Sequence, residues 1–324
     1  MTDHAVVVGG GISGAACASA LLAAGAPVRL LDRGRRLGGR MASRTLRGTG
    51  TPYDGRVVDI GASYFTVSDP GFATVVDALQ DAGVVRPWTT GFHVAGPEGL
   101  VGIKSGAWRY AAPGGLRSVV EAMAAPLPDV RLDTEVQRVE AAAGGVVVDG
   151  QPAGAAALCV PYPQARRLTS RFDFAGPVWE PVIAVTCVFA EASWPEIDGV
   201  FVNDDPVLTW IADDGSRRGD QAPVLVAHVH PVLSARHLGD PQSVIPAAIA
   251  TIQRVLGIRD YPEWAEAKRW AFAKPLGAES AEFWLDEDAP IGLAGDAFAG
   301  GPRIEAAWLS GHQLGAALAT RLDA

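Results

Sequence analysis

Residues 5–44 read AVVVGGGISGAACASALLAAGAPVRLLDRGRRLGGRMASR. The apolar run at 5–8 suits a fully buried parallel strand, and the glycine turn Gly9-Gly10-Gly11-Ile12-Ser13-Gly14 follows it directly. An Ala/Leu-rich helix to about residue 24 comes next, with Gly25 placed to end it and Pro27 just beyond. A second apolar strand, 28–31, delivers Asp32 eighteen residues after Gly14. Strand, glycine turn, helix, strand and acid in this order form the dinucleotide-binding fingerprint. Gly9 permits the turn, Gly11 lets a pyrophosphate approach the backbone, and Gly14 lets helix and strand pack closely. The pyrophosphate then meets free N–H groups and a partial positive charge at the helix N-terminus, contributed by Ile12 and Ser13, while Asp32 accepts hydrogen bonds from a ribose. The expected fold class is α/β, with a Rossmann-type domain at its start.

Five to eight residues past Asp32, Leu37-Gly38-Gly39-Arg40 supplies a second glycine pair followed by an arginine. Such a loop can fold back over the first phosphate site and add a forked phosphate donor, with Arg33 nearby. This pairing resembles the amine-oxidase-like flavoproteins, and the resemblance implies FAD as the cofactor.

Hydrophobic residues make up 48% of the 324 positions and charged residues 19%, ordinary proportions for a soluble enzyme of about two domains. A net charge of −9 argues against nucleic acid and an anionic membrane surface as partners. The first residues lack the basic start of a signal peptide, and no apolar run approaches the ~20 residues that span a bilayer. Cys17, Cys159 and Cys187 are scattered through apolar segments without metal-ligand spacing, which suits buried thiols and a cytoplasmic compartment. None lies near the C-terminal glycine motif, so FAD is expected to be held without a covalent link. His228 and His230 are two apart but have no further ligands, so no metal is expected.

Further along, Val57-Val58-Asp59-Ile60-Gly61-Ala62-Ser63-Tyr64-Phe65-Thr66 reads as a strand interrupted at Gly61, where another group approaches the backbone closely. A helix is expected over 72–82, capped by Asp69 and Pro70, and short antiparallel strands over 94–103 and 108–111. Another helix is expected from about 113 to 124, and a hairpin-like pair over 130–139 and 145–149. The two prolines of Pro161-Tyr162-Pro163-Gln164-Ala165 predict a rigid, non-helical crossover. Residues 165–285 carry apolar strands at 182–189, 207–211 and 224–229 and a helix at 243–256, the texture of a mostly antiparallel sheet with helices against it. Seven of nine tryptophans follow residue 175, so this part supplies aromatic walls for a planar substrate. At the end, Gly295-Asp296 closes a strand, and a long helix starts at about residue 303.

The D-x-G-A-x-Y-F-T segment, the P-x-P-Q-A crossover, Lys268-Arg269-Trp270-Ala271-Phe272-Ala273-Lys274-Pro275 and the final R-x-E-x-A-W-x-S-G run together resemble the renalase-like branch of those flavoproteins. Lys268 stands where that branch usually has His, and Phe272 where it usually has Tyr. Asp213-Asp214-Gly215-Ser216 and Pro231-Val232-Leu233-Ser234 depart from its pattern on the substrate side. The resemblance implies a p-hydroxybenzoate-hydroxylase/amine-oxidase-like architecture. Residues 1–68, 112–163 and 286–324 would form a discontinuous FAD domain, and 69–111 with 164–285 an inserted, mostly antiparallel sheet-plus-helix substrate domain.

The same resemblance implies cofactor contacts from Gly39, Arg40, Ala62, Ser63, the backbone of Val136, Gly295, Asp296, Glu305 and Ala306, with the final helix pointing at the flavin pyrimidine. Tyr64, Trp210 and Trp270 are the candidate stacking walls. The activity it implies is oxidation of isomeric dihydro forms of NAD(P), with hydride passing to flavin N5 and then to O2 to give hydrogen peroxide. Hydride transfer from such a ring needs no side-chain base, in keeping with a chain that shows no catalytic triad or carboxylate pair. Two alternatives remain open at this point: an FAD-dependent amine oxidase or desaturase-type enzyme, and a flavin-binding protein without turnover.

Overall fold

A computed structural model describes residues 4–172, 174–277 and 279–322; the remaining positions of the expected segments, 1–3, 173, 278 and 323–324, lie outside it. Two large sheets border one cleft, the first with the carboxyl ends of its strands. The first has six strands in the order Trp284–Leu285, Ile291–Leu293, Ala155–Leu158, Ala5–Val8, Val28–Leu31 and Val130–Arg131, all neighbours parallel except the first pair. Its four central strands are short and almost wholly apolar because helices cover one face and a three-stranded sheet (139–153) the other.

On the helical side, Ile12–Ala23, Arg117–Ala124 and Ile304–Leu322 share one core with the sheet. The first and last helices meet backbone to backbone. A Cβ at Gly311 would overlap the carbonyl of Ser13, and one at Gly315 the carbonyl of Cys17. The helix Pro70–Asp81, with Asp69 accepting from the Phe72 amide at 2.9 Å, forms as its cap signals predict. It belongs, however, to this first core and not to the second domain, because Phe72, Val76 and Leu79 pack there and the Phe72 ring lies 5.3 Å from Trp308. The second sheet therefore starts at Arg86, not at residue 69.

The second sheet has seven strands, in the order Trp264–Leu276, Val178–Val188, Val224–Val229, Leu208–Asp213, Gly199–Val202, Arg86–Gly96 and Gly99–Ala111. All neighbours are antiparallel except Gly199–Val202 with Arg86–Gly96. The pair expected as short strands at 94–103 and 108–111 is one long hairpin. Ile183, Val185 and Cys187 with Leu225, Ala227 and Val229 enter a core under the helix Ile245–Leu256, while Val182 and His228 on the opposite face line the cleft.

The crossover after Val160 is helical, Tyr162–Leu168, contrary to the reading of its prolines. Pro161 caps the helix and Pro163 sits in its first turn, where backbone N–H groups have no intrahelical partner to lose. The strand expected through Gly61 ends at Asp59, and the segment runs on as an extended loop bridged at Phe65 to Tyr110. Asp213-Asp214-Gly215-Ser216 opens a short helix, Asp214–Arg218. Among the described residues no helix is long and apolar enough to cross a membrane.

That short helix carries a buried charge cluster which joins the two halves. Asp214 is fully buried and meets Arg217 at 2.5 Å, Arg218 at 3.0 Å and Arg56 at 3.0 Å. Arg218 and Arg217 also reach Asp59 at 3.3 and 3.8 Å. Burial alone would raise the Asp214 pKa, but Arg217, Arg218 and Arg56 outweigh it and bring it down to about 2. The folded value lies below the ordinary ~3.9 of an unfolded chain, so this stabilisation is present above pH ~4 and is lost as pH falls towards 2. Removing one member of a buried pair leaves uncompensated charge. Asp214→Asn is accordingly expected to destabilise the fold by about 3–5 kcal/mol in urea unfolding at pH 7; a change under about 1 kcal/mol would mean the cluster is structurally idle.

Candidate active site

The cleft between the sheets has a volume of ≈ 1410 Å³, beyond the ~300–1,000 Å³ of a pocket for one small ligand. At one end lies the first glycine turn. Gly9 has φ +111°, and a Cβ there would overlap the carbonyl of Cys159. A Cβ on Gly14 would overlap the carbonyl of Gly9. These two glycines satisfy the fold. Gly11 differs: the nearest atom to a Cβ there is the Gly39 Cα at 4.0 Å, so its cleft face is open. Ser13 Oγ, in the first turn of the helix Ile12–Ala23, is buried at the cleft wall and has no hydrogen-bond partner. An unspent hydroxyl beside an open glycine at a helix N-terminus is chemistry suited to a phosphate.

Asp32 accepts from the backbone amides of Gly10 at 2.5 Å and Gly34 at 2.6 Å, clamping the turn, and its oxygens keep further acceptor capacity towards the cleft. The Gly38 amide donates to the Gly10 carbonyl at 2.8 Å, which lays the second glycine loop on the first. Arg40 does not stand free for an anion. Its two terminal nitrogens pair with Asp296 at 2.6 Å each, one donates to the Ala273 carbonyl at 3.2 Å, and the guanidinium lies 5.0 Å from the Trp179 ring centroid. That ion pair ties the second glycine loop to the C-terminal Gly-Asp.

The middle of the cleft is the loop 60–64, held at every residue. Ile60 accepts from Trp270 Nε1 at 2.7 Å. A Cβ at Gly61 would overlap the Arg40 carbonyl, which is the close approach that the interrupted strand implied. That carbonyl takes the Ala62 amide at 2.9 Å. Ser63 Oγ accepts from Trp210 Nε1 at 2.9 Å, and its carbonyl accepts from buried Arg217 at 3.3 Å. The Tyr64 ring packs at a tilt against Phe92, 4.9 Å away, and Trp210, 5.8 Å away. Burial raises the Tyr64 pKa, against the opposing effect of Arg109.

The structure thus brings Gly9, Gly11, Ile12, Ser13, Asp32, Arg33, Gly39, Arg40, Ala62, Ser63, Val136, Gly295 and Asp296 to one cleft with Tyr64, Trp210 and Trp270. Gly14 lies behind the turn. Glu305 and Ala306 do not reach the cleft either. Ala306 is fully buried, while Ile304 and Ala307 take the cleft side of that helix turn. The Glu305 carboxylate is spent on the Ser68 amide at 2.5 Å, the Ser68 hydroxyl at 2.6 Å and the Asp69 amide at 2.7 Å. Burial opposes its charge, but those donors and Arg303 hold its pKa below the usual carboxylate range.

Two features were missed in the sequence. The Asp214–Arg217–Arg218 cluster has a local signal, an acid followed at three and four residues by arginines. His228 lines the cleft with its Nε2 enclosed and unpartnered. Burial, with the Arg217 charge adding to it, lowers its pKa to about 4 against the opposing contact with the Gly61 backbone.

Residues 7–79 match the model of an NAD(P)-binding Rossmann-like domain. Over the whole chain the fold is similar to a candidate protoporphyrinogen oxidase from Exiguobacterium sp. 255-15, at 15% identity over 99% of each chain and a TM-score of 0.77. It is also similar to putrescine oxidase redesigned in its cofactor binding (17%, 99% of each chain, 0.75) and to cyclohexylamine oxidase from Brevibacterium oxydans IH-35A (14%, all of each chain, 0.74). The chain has their mixed α/β fold of several sheets with a Rossmann-like nucleotide domain.

Gly11 can carry a side chain without a clash, so Gly11→Val is expected to keep the wild-type melting temperature and lose bound dinucleotide, read as the absorbance spectrum of the purified protein; a fully loaded variant would refute the placement. His228 stays neutral in the fold down to pH ~4, whereas an unfolded histidine takes a proton near 6.5. Stability should therefore fall on acidification between these values, by up to about 1.4 kcal/mol per pH unit from this group. His228→Gln should flatten that slope in urea titrations at pH 7.5 and 5.5.

Proposed function

We propose that this chain is an FAD-dependent oxidase that takes hydride from an isomeric dihydro form of NAD(P). The observation that carries the reading is the division of one cleft into two kinds of wall. Open Gly11 and unpartnered Ser13 Oγ sit at a helix N-terminus at one end, and Trp210 and Trp270 with their N–H groups already engaged stand at the other. The cleft's volume fits a dinucleotide together with a second, planar molecule.

The residues present fit FAD. The turn Gly9–Gly11 and Ser13 would take the pyrophosphate, Asp32 a ribose, and the loop 60–64 with Gly295 the flavin end. Of the cysteines, Cys17 and Cys187 are wholly buried and Cys159 lies beside Gly9 at the phosphate end, which supports binding without a covalent link. Bound FAD would supply the two-electron acceptor, with dioxygen as final oxidant and hydrogen peroxide as product. The chain's own contribution is orientation. Trp270 and Trp210 are fixed by hydrogen bonds to the same loop, so a ring between them is held in one plane without further ordering of side chains. The histidine at this wall is neutral and weakly basic, which suits a reaction in which the substrate gives up no separate proton.

Folds of the same architecture belong to proteins named as oxidases of putrescine and cyclohexylamine, so amines are the competing substrate class. The flavin absorbance of aerobic holoprotein should bleach on adding a dihydronicotinamide isomer and recover as hydrogen peroxide appears. Rapid bleaching by an amine, with none by any dihydronicotinamide, would sink the substrate assignment.

A further inference from the structure

We propose that His228 recognises the polar substituent of the substrate ring by accepting a hydrogen bond from an N–H donor, the chemistry of a primary carboxamide. The inference rests on the reading of the cleft just given. His228 lies on the strand Val224–Val229, opposite Trp210 on one neighbouring strand and Ala184 on the other. Val224 and Val226 precede it on the same face of the sheet, where they pack on Leu46 and Val58, and the strand reaches the cleft at His228.

Trp179 Nε1 on this sheet is also buried without a partner, but an indole nitrogen can only donate; several of the other polar groups on this wall are engaged. Trp210 and Trp270 donate to Ser63 and Ile60. Tyr64 meets Arg109, the Thr209 hydroxyl donates to the His228 carbonyl, and His230 Nδ1 accepts the Val232 amide. Of the carboxylates on the same sheet face, Glu180 stands four residues along its strand from Ala184, about 13 Å away at ~3.3 Å per residue, and Glu266 is paired with Arg44 at 2.6 Å and Lys268 at 3.1 Å. Among the described residues, no unpaired carboxylate on this face therefore sits beside His228 to hold an ammonium group.

Of the two ring nitrogens of His228, only Nε2 is shut off from solvent, and the ring lies against the Gly61 backbone. A neutral imidazole has one N–H and one acceptor nitrogen. The nitrogen that keeps its N–H towards the Gly61 backbone leaves the other as an acceptor on a residue that lines the cleft. Enclosure and the Arg217 charge both disfavour the imidazolium, which keeps that nitrogen an acceptor at neutral pH. A substituent presenting only acceptors would set lone pair against lone pair.

The test uses flavin-loaded protein and two neutral probes of similar size, nicotinamide, which has N–H donors, and methyl nicotinate, which has none. Binding is read from perturbation of the flavin spectrum and of tryptophan fluorescence. Nicotinamide is expected to bind about tenfold more tightly, the worth of one hydrogen bond. His228→Phe should erase the preference at unchanged flavin content, and His228→Gln, which keeps an acceptor there, should retain most of it. Equal binding of the two probes to the wild type, or a preference that survives in His228→Phe, overturns the role. Should the preference hold while no dihydronicotinamide reduces the flavin, the substrate assignment fails and the role of His228 stands; turnover without the preference means the converse.

Discussion

Backbone meeting backbone is the constraint on which this molecule depends. At Gly14 against the Gly9 carbonyl, at Gly61 against the Arg40 carbonyl and at Gly311 against the Ser13 carbonyl, a single added carbon would overlap main-chain atoms that have nowhere to move. The first contact packs the opening helix on its strand, the second lays the central loop on the second glycine pair, and the third docks the last helix on the first. Main-chain contacts of this kind do not relax by a rotamer change, so they position the cleft more tightly than packed side chains can. The Arg40–Asp296 pair then bridges parts of the chain that lie 256 residues apart, along the seam those contacts define.

The second sheet is fastened to this frame by buried charge as well as by apolar packing. A cluster with three arginines and two fully buried carboxylates gives little net stability over a well-packed apolar core, because each ion must first leave water. What it gives is a single register. Arg217 reaches Asp214 on its own short helix, Asp59 at the end of a strand, and the carbonyl of Ser63 on the central loop. Sliding the sheet would strand these charges, so the aromatic wall keeps one position over the cleft.

How much of this was legible in the sequence followed the range of the interaction. The opening strand, turn, helix and acid are local, and each of Gly9, Gly11 and Gly14 stands where its spacing placed it. Gly61 announced a close approach, although the partner, the Arg40 carbonyl, comes from outside the local pattern. Failures arose where tertiary context decided. Pro161 and Pro163 read as helix breakers until the helix is seen to begin at them. The amphipathic helix Pro70–Asp81 has the same periodicity whichever core it serves, and the ring contact of Phe72 with Trp308, more than two hundred residues on, assigns it to the first. Glu305 carries a family-like pattern, yet its carboxylate turns to Ser68 and Asp69 because the start of that same helix needs acceptors for its free amides.

The distribution of spent and unspent hydrogen-bonding groups along the cleft separates holding from selecting. Where the fingerprint predicts phosphate, the structure leaves capacity open: Ser13 Oγ without a partner, a bare Gly11 and the remaining lone pairs of Asp32. Such groups suit a ligand that stays, since a bound anion satisfies what the fold does not. Around the aromatic wall the polar handles of Trp210, Trp270 and Thr209 are consumed internally, which makes the wall rigid and nearly inert towards donors and acceptors. A visiting ring therefore meets shape first, and an unpaired polar atom placed in so dry a wall weighs more for discrimination than it would in a site crowded with alternative partners.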